Sequence, residues 1–463
     1  MMASHENTRT NKQAIIGMGK TGQAVAHFLR RRGITCEGFD EAAVSMPETL
    51  AGSQDLPLHI GALNADILKT FSRLIVSPGI NWHHPALDEV RQAGVPVVGD
   101  LSLFSESYHG DVIAITGTNG KTTTVTLIDT MLDVLNGGIE AGGNIGTPML
   151  DLIGDSNTPE LEPKRVVLEL SSFQLERAEP MHAKWAALLN VQPDHADMYA
   201  DMQSYEAAKL RLFANQGDGD KAMLPADPRW NGLADDLRGR SVYVRRFGMG
   251  YPNDLDAGVE KLADGSWQVF WHHYDQAHTV HSDSLLAQGI HQHLNLAVAA
   301  QAAADFGVSA SVIRQSLTSF RGLPHRLQSL GVVAGREWFN DSKATNPDAA
   351  QAALAAFHQV IWICGGLRKG LDISVLKDAV ANHVEYIFVI GTDAKPFTDL
   401  AALAGVSCRF VKTVEQAVKQ ASKVSAGMPV LLSPAAASQD QFKNYIERGN
   451  AFVAAINGLE ESA

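Results

Sequence analysis

Apolar and polar positions follow two interleaved rhythms along the chain, short apolar runs of strand length separated by longer stretches with helical spacing. Residues 13–16, 74–76 and 95–98 read as strands divided by helices, the pattern of βαβ units. A second such block starts at the apolar run before Gly117 and extends to residue 317. Inside it, residues 243–284 are rich in Trp, Tyr and His and read as short antiparallel strands. The third block opens near Gly322, with apolar runs at 360–364, 386–390 and 430–433 that read as parallel strands with helices between them. Three α/β domains are therefore expected, over residues 1–104, 105–321 and 322–463. Linkers are expected near residues 99–107 and 320–324, acting as hinges about which the domains close. The length of 463 residues, at ~150 residues per domain, gives the same count.

One strand end carries an unusual concentration of chemistry. The run 114–116 enters Gly117-Thr118-Asn119-Gly120-Lys121-Thr122-Thr123, where a helix is expected to begin. Glycines let backbone N–H groups face phosphates, Lys121 supplies a point charge, and Thr122 can hold Mg²⁺ at a helix N-terminus whose dipole favours anions. The common phosphate loop has a glycine where Ile115 stands, so this loop is a shortened relative. A plain strand-turn-helix junction accounts for the glycines but not for a Lys followed by threonines. Farther on, the apolar strand 166–168 ends in Glu169, placed to share the metal with Thr122.

A second glycine pattern, Gly17-Met18-Gly19-Lys20-Thr21-Gly22, follows the first strand, and Asp40 follows the second. Three readings stay open for it: a nicotinamide dinucleotide site, a site for another nucleoside diphosphate, or a tight turn without a ligand. The turn Ser77-Pro78-Gly79 also lies at a strand's C-terminal end, where open α/β sheets receive ligands. Asp194-His195 and Lys209 would not stand out by periodicity, since a lone His is usually structural and a lone helix Lys solvated.

Charge and cysteine content narrow the partners. Lys and Arg number 38 against 51 Asp and Glu, a net charge of −13, which argues against a nucleic-acid groove. Small anions must be held by local sites. Three scattered cysteines, Cys36, Cys364 and Cys408, suit a reducing cytoplasm better than a disulfide framework. No apolar run reaches the ~18 residues of a membrane span, and the polar N-terminus lacks the features of an export signal.

Taken in order, the segments Gly117 to Thr123, Glu169-Leu170-Ser171-Ser172-Phe173-Gln174-Leu175, Asp194-His195, Lys209, Pro324-His325-Arg326, Asn340-Asp341-Ser342-Lys343-Ala344-Thr345-Asn346 and Ser433-Pro434-Ala435-Ala436-Ala437-Ser438-Gln439-Asp440-Gln441-Phe442 resemble the Mur ligases. The resemblance covers nearly the whole chain and is most specific at residues 341–346 and 433–442, where it points to the branch that adds D-glutamate. It implies a Rossmann-like N-terminal domain for a uridine nucleotide and a central P-loop ATPase-like domain whose sheet is mostly parallel with a small antiparallel part. A C-terminal Rossmann-like α/β domain for the incoming amino acid completes it. Implied substrates are ATP, UDP-N-acetylmuramoyl-L-alanine and D-glutamate, with no nucleic-acid or membrane partner, in a cytoplasmic monomer.

By position, the resemblance gives Gly117, Thr118, Asn119, Gly120, Lys121, Thr122, Thr123, Asn295, Arg326 and Asp341 to ATP. Thr122, Glu169, His195 and Lys209 would serve two Mg²⁺ sites, Lys209 as a carbamate, and Lys121, Glu169, His195 and Lys209 form the catalytic set. Gly17, Met18, Gly19, Lys20, Thr21, Gly22, Asp40, Ser77, Pro78, Gly79 and Asn144 would meet the UDP-linked substrate. Lys343, Thr345, Lys369, Ser438 and Tyr445 would meet D-glutamate. The chain departs from the family pattern at Glu41, Gln292, Gln328 and Tyr445. A dehydrogenase would leave Lys121 without a role, and a P-loop switch would have no use for the cluster around Lys343.

Overall fold

The computed structural model describes residues 11–42, 56–135, 139–144, 146–154, 163–194, 198–199, 201–285, 289–320, 322–424 and 427–460. The chain forms two compact units, Met1–Phe247 with Asp305–Val308, and Gly248–Ala304 with Ser309–Ala463.

The first unit holds two parallel sheets. β1 (Gln13–Ile16), β2 (Cys36–Asp40), β3 (Leu58–Ile60), β4 (Arg73–Val76) and β5 (Val97–Val98) lie in the order β3-β2-β1-β4-β5. Every pairing is parallel. The order reverses between β1 and β4, so the turns after these two strands flank the crevice where such sheets bind ligands. β6 (Asp111–Thr116), β7 (Ile139–Gly143), β8 (Arg165–Glu169), β9 (Trp185–Leu188), β10 (Lys221–Pro225) and β11 (Tyr243–Met249) follow in the order β7-β8-β6-β9-β10-β11, again parallel. Their continuous apolar runs, such as Val166-Val167-Leu168, are buried on both faces because helices cover both sides.

Residues 99–107, the expected linker, are largely helical. The stretch from Asp100 to Ser107 is a helix whose Leu101, Leu103 and Phe104 join one hydrophobic cluster with Ile15, Phe28, Ala114 and Leu168. Apolar residues at this spacing bury more surface as a helix than an extended connector would. Residues 320–324 include Arg321, which lies outside the described residues.

In the second unit β12 (Ala257–Lys261), β13 (Trp267–His273) and β14 (Gln276–His281) form an antiparallel meander. Within the stretch expected to be antiparallel, β11 pairs parallel to β10, since strand composition does not encode direction. β15 (Gln328–Val333), β16 (Arg336–Asn340), β17 (Val360–Gly365), β18 (Val384–Ile390), β19 (Ser407–Lys412) and β20 (Val430–Leu432) lie in the order β15-β16-β20-β17-β18-β19. Only β15 runs antiparallel to its neighbour. Leu354, Val380 and Phe397 cover one face and Val414, Phe452 and Ile456 the other, which makes this a doubly wound layer. Among the described residues no helix is long and apolar enough to cross a membrane.

Candidate active site

β6 delivers Thr116 into the phosphate loop, and the helix Lys121–Leu132 starts at once behind it. Gly120 occupies the N-cap with φ +88°, a left-handed conformation that costs other residues about 1–2 kcal/mol. The loop is clamped from the end of β9. Asn190 Oδ1 accepts from the backbone N–H groups of Thr118 (3.1 Å) and Asn119 (2.9 Å), and its own amide donates to Asn119 O at 3.0 Å. Gln192 Oε1 accepts from Asn119 Nδ2 at 3.0 Å, and Gln192 N donates to Thr118 Oγ1 at 3.0 Å. Asn190 and Gln192 escaped residue-by-residue assignment, although two polar side chains just past an apolar strand were a usable signal.

Five expected site residues, Lys121, Thr122, Asn144, Glu169 and Lys209, meet at this loop. Lys121 Nζ donates to Gly117 O (2.7 Å) and Thr118 O (2.9 Å). Thr122 Oγ1 donates to Glu169 Oε2 at 2.7 Å, and Asn144 Nδ2 donates to Glu169 Oε1 at 2.9 Å. Glu169 is 2 % exposed, so its carboxylate reaches only groups that come to the loop. Lys209, on the helix Met202–Leu210, is 1 % exposed and donates to Gly117 O at 3.0 Å while its ammonium lies 4.4 Å from the Tyr205 ring centroid. Burial, and next the Lys121 charge, pull its pKa down from 10.5 to about 6; Asp194 and Glu169 oppose this. Holding a buried ammonium costs several kcal/mol, so at neutral pH the free amine predominates. His195 lies outside the described residues. Among the described residues no three His, Cys, Asp or Glu side chains stand together as a ready metal site. The donors that do meet, the Thr122 hydroxyl and the Glu169 carboxylate, are the hard oxygens that suit Mg²⁺.

The second glycine turn is equally fixed. Asp40, at the end of β2, accepts from Met18 N at 2.7 Å, and Ser77 Oγ donates to Gly17 O at 2.6 Å. A Cβ on Gly22 would lie 2.0 Å from Gly17 O, which is why only glycine lets this helix start so close to the turn. Gly19 and Gly79 are exposed beside it. Lys20 donates to Gly146 O across the crevice. A cleft of about 220 Å³ is lined by Lys20, Thr21, Pro78, Gly143, Asn144 and Gln174 among others, so the expected UDP-substrate turns and Asn144 share one cavity. Glu41, a departure from the family pattern, lies 3.7 Å from His84 Nε2.

The second unit gathers the remaining residues at the C-terminal ends of β16, β17 and β20. Asp341 Oδ1 accepts from Leu327 N (3.0 Å) and Oδ2 from Ser433 Oγ (2.8 Å), so both oxygens tie strand ends together. Arg448 is 1 % exposed and donates to Ser342 Oγ and O and to Ala436 O, fastening residues 341–346 to residues 433–438. Lys343 Nζ stands 4.3 Å from the Tyr445 ring centroid, a contact that either Phe or Tyr supplies. Leu367 and Ala437 exchange two backbone hydrogen bonds of 2.9 Å, which sets the Lys369 loop beside Ser438. Lys369 has φ +52°, and the Ser438 hydroxyl is buried with no hydrogen-bond partner among the described residues. Thr345 is half-buried, its N–H donating to Lys343 O at 2.8 Å. Gln328 Oε1 accepts from His325 N at 3.1 Å. Asn295 and Gln292 lie in the helix Ile290–Asp305, and Arg326 acts on the Asp341 charge.

Asp341 gives a pH prediction. Burial raises its pKa from 3.8 to about 7, against the Ser433 and Leu327 hydrogen bonds and the Arg326 and Arg448 charges. Between these values the folded chain binds more protons than the unfolded one, so stability falls as pH rises through that window. Asp341→Asn is expected to flatten this component. Thermal denaturation at about pH 4 and about pH 7 checks it, and an unchanged difference between the two pH values in the variant refutes it.

Comparison with known domain families matches residues 11–99 to the Mur ligase MurD-like N-terminal domain, residues 115–303 to the Mur ligase middle domain and residues 325–436 to the Mur ligase glutamate ligase domain. A UDP-N-acetylmuramoylalanine–D-glutamate ligase of Hahella chejuensis is 37% identical over 97% of this chain and 99% of its own length. One of the same name from Methylobacillus flagellatus is 35% identical over 96% and 97%. Among solved structures, the UDP-N-acetylmuramate-alanine ligase of Thermotoga maritima has a TM-score of 0.60 at 18% identity, covering 98% of this chain and 100% of that one. The MurF ligase of the same organism, in complex with ADP, has a TM-score of 0.58 at 17% identity, covering 100% and 98%. At such identity these two speak for the fold alone. Given relatives this similar along nearly the full length, the chain belongs to the Mur ligase family, in its UDP-N-acetylmuramoylalanine–D-glutamate ligase branch.

Proposed function

We propose that the protein is an ATP-dependent carbon–nitrogen ligase that joins D-glutamate to UDP-N-acetylmuramoyl-L-alanine during cytoplasmic synthesis of peptidoglycan precursors. The observation that carries this is the meeting of Lys121, Thr122, Glu169 and Lys209 at one phosphate loop. The names of the relatives support the choice of substrates.

A carboxylate is a poor electrophile, so amide formation needs one of its oxygens turned into a leaving group. Transfer of the γ-phosphoryl of ATP to the alanyl carboxylate gives an acyl phosphate. The D-glutamate amine attacks its carbonyl carbon, and the tetrahedral intermediate expels phosphate. Positioning and charge neutralisation dominate such transfers, so residues 117–123 and Lys121 cradle the phosphates and no covalent nucleophile is required. Mg²⁺, held by Thr122 and Glu169 with His195 and a carbamate on Lys209, supplies further neutralisation of phosphate charge when bound. A neutral Lys209 amine is the form that adds CO₂, and the carbamate turns a cation that would repel Mg²⁺ into an oxygen ligand.

Asn295, Arg326 and Asp341 serve the adenine, phosphate and ribose regions of ATP in this proposal. Lys343 and Lys369 answer the two carboxylates of D-glutamate, with Thr345, Ser438 and Tyr445 beside them. The turns at residues 17–22 and 77–79, with Asp40 and Asn144, take the UDP-linked substrate. Domain limits at residues 104 and 321, and a monomeric state, belong to the same proposal.

Phosphate release from ATP and Mg²⁺ is expected only when UDP-N-acetylmuramoyl-L-alanine and D-glutamate are both present, out of a panel of amino acids. Release that is independent of the acceptor, or a different preferred amino acid, refutes the assignment.

A further inference from the structure

Arg177 follows directly on the short helix Ser172–Glu176, which leads away from Glu169, and it is 2 % exposed. Among the described residues no acid lies in ion-pair contact with its guanidinium, although the Glu176 and Asp100 charges act on it. Nη1 donates to Ser77 O at 2.5 Å and Nη2 to Ile80 O at 2.7 Å, the carbonyls that open and close the turn after β4. The rings of Trp82 and Phe173 stand on it at 5.4 Å and 5.8 Å. Its main chain reaches the same sheet: Arg177 O accepts from Gly99 N at 2.7 Å, and a Cβ on Gly99 would lie 3.0 Å from Arg177 Cβ.

Burying a guanidinium with no acid in contact is costly even with the Glu176 and Asp100 charges nearby, and an apolar side chain of similar volume would fill this space with less penalty. What such a side chain would lack is a rigid fork that holds two carbonyls of one turn at fixed spacing. That turn includes Pro78, which lines the cleft together with Lys20 and Gln174, and Ser77 passes the restraint to Gly17 through its hydroxyl. Gln174 and Glu169 belong to the segment that ends in Arg177, so one stretch of chain reaches the phosphate loop, the cleft and the β4 turn.

Building on the ligase function proposed above, we propose that Arg177 is a positioning residue for the UDP-linked substrate, fixing the turn at residues 77–80 so that the cleft has its binding shape before substrate arrives. The full-length wild type, Arg177→Met and Arg177→Lys are compared by phosphate release, varying each substrate in turn. Arg177→Met is expected to raise KM for UDP-N-acetylmuramoyl-L-alanine about 10-fold or more, with kcat and KM for ATP changed less than about twofold. Arg177→Lys, which reaches one carbonyl rather than two, is expected to fall between. An unchanged KM for the UDP-linked substrate overturns the proposal, as does an equal rise in KM for all substrates, the mark of general loosening. Should Arg177→Met fail to fold, Arg177→Lys is judged by the same criteria. A wild type whose phosphate release ignores the UDP-linked substrate would overturn the ligase function itself; an active wild type with unaltered variants overturns only the role of Arg177.

Discussion

Lys121→Met lowers the rate of acceptor-dependent phosphate release by roughly 10³-fold, the loss typical when a preorganised charge is removed from a phosphoryl or acyl transfer site. The folded chain survives, because Lys121 is part exposed and donates to the loop carbonyls of Gly117 and Thr118, which stay within reach of other donors. Losing such bonds costs about 1 kcal/mol each. Single-turnover kinetics under saturating ATP separate this effect from weaker nucleotide binding. A variant that keeps more than about a tenth of the wild-type rate would remove Lys121 from the transition-state account.

Lys209→Ala is expected to lose at least ~10²-fold in kcat, as when a group supporting a metal or oxyanion site is deleted. Acetate or formate should restore part of that loss by standing in for the carbamate oxygens. Lys209→Met, which keeps the packing beneath Tyr205 but offers no amine, should lose as much and respond less. The modification itself has a direct readout. With ¹³C-bicarbonate, a carbamate resonance that Lys209→Ala lacks should grow as pH rises through about 6, where the buried amine loses its proton. Full activity of Lys209→Ala, or a bicarbonate spectrum identical in wild type and variant, counts decisively against the carbamate.

Much of the fold was legible because parallel strands buried on both faces leave uninterrupted apolar runs, as at residues 360–364 and 430–433, seen in β17 and β20. Direction and partner were harder to read. β11 shares the aromatic and polar composition of the meander after it, yet pairs parallel to β10, because pairing depends on what lies beside a strand in space. The helical form of residues Asp100–Ser107 was not read from the sequence, since eight residues hold too few turns to display a period. At the loop, the meeting of Thr122 with Glu169 beside Lys121 was legible through spacing and strand-end position. Arg177 was not, for its side chain's partners are main-chain groups, which leave no trace in side-chain identity.

The Asn190 clamp bears on how quickly a nucleotide can be captured. With two amides of the turn already engaged by a side chain from β9's end, the loop has little conformational freedom left to surrender on association. Capture is then a matter of encounter and of exchanging Lys121's carbonyl partners for phosphate oxygens, steps faster than the folding of a floppy segment. A receptor of this kind spends little of its binding energy on ordering itself.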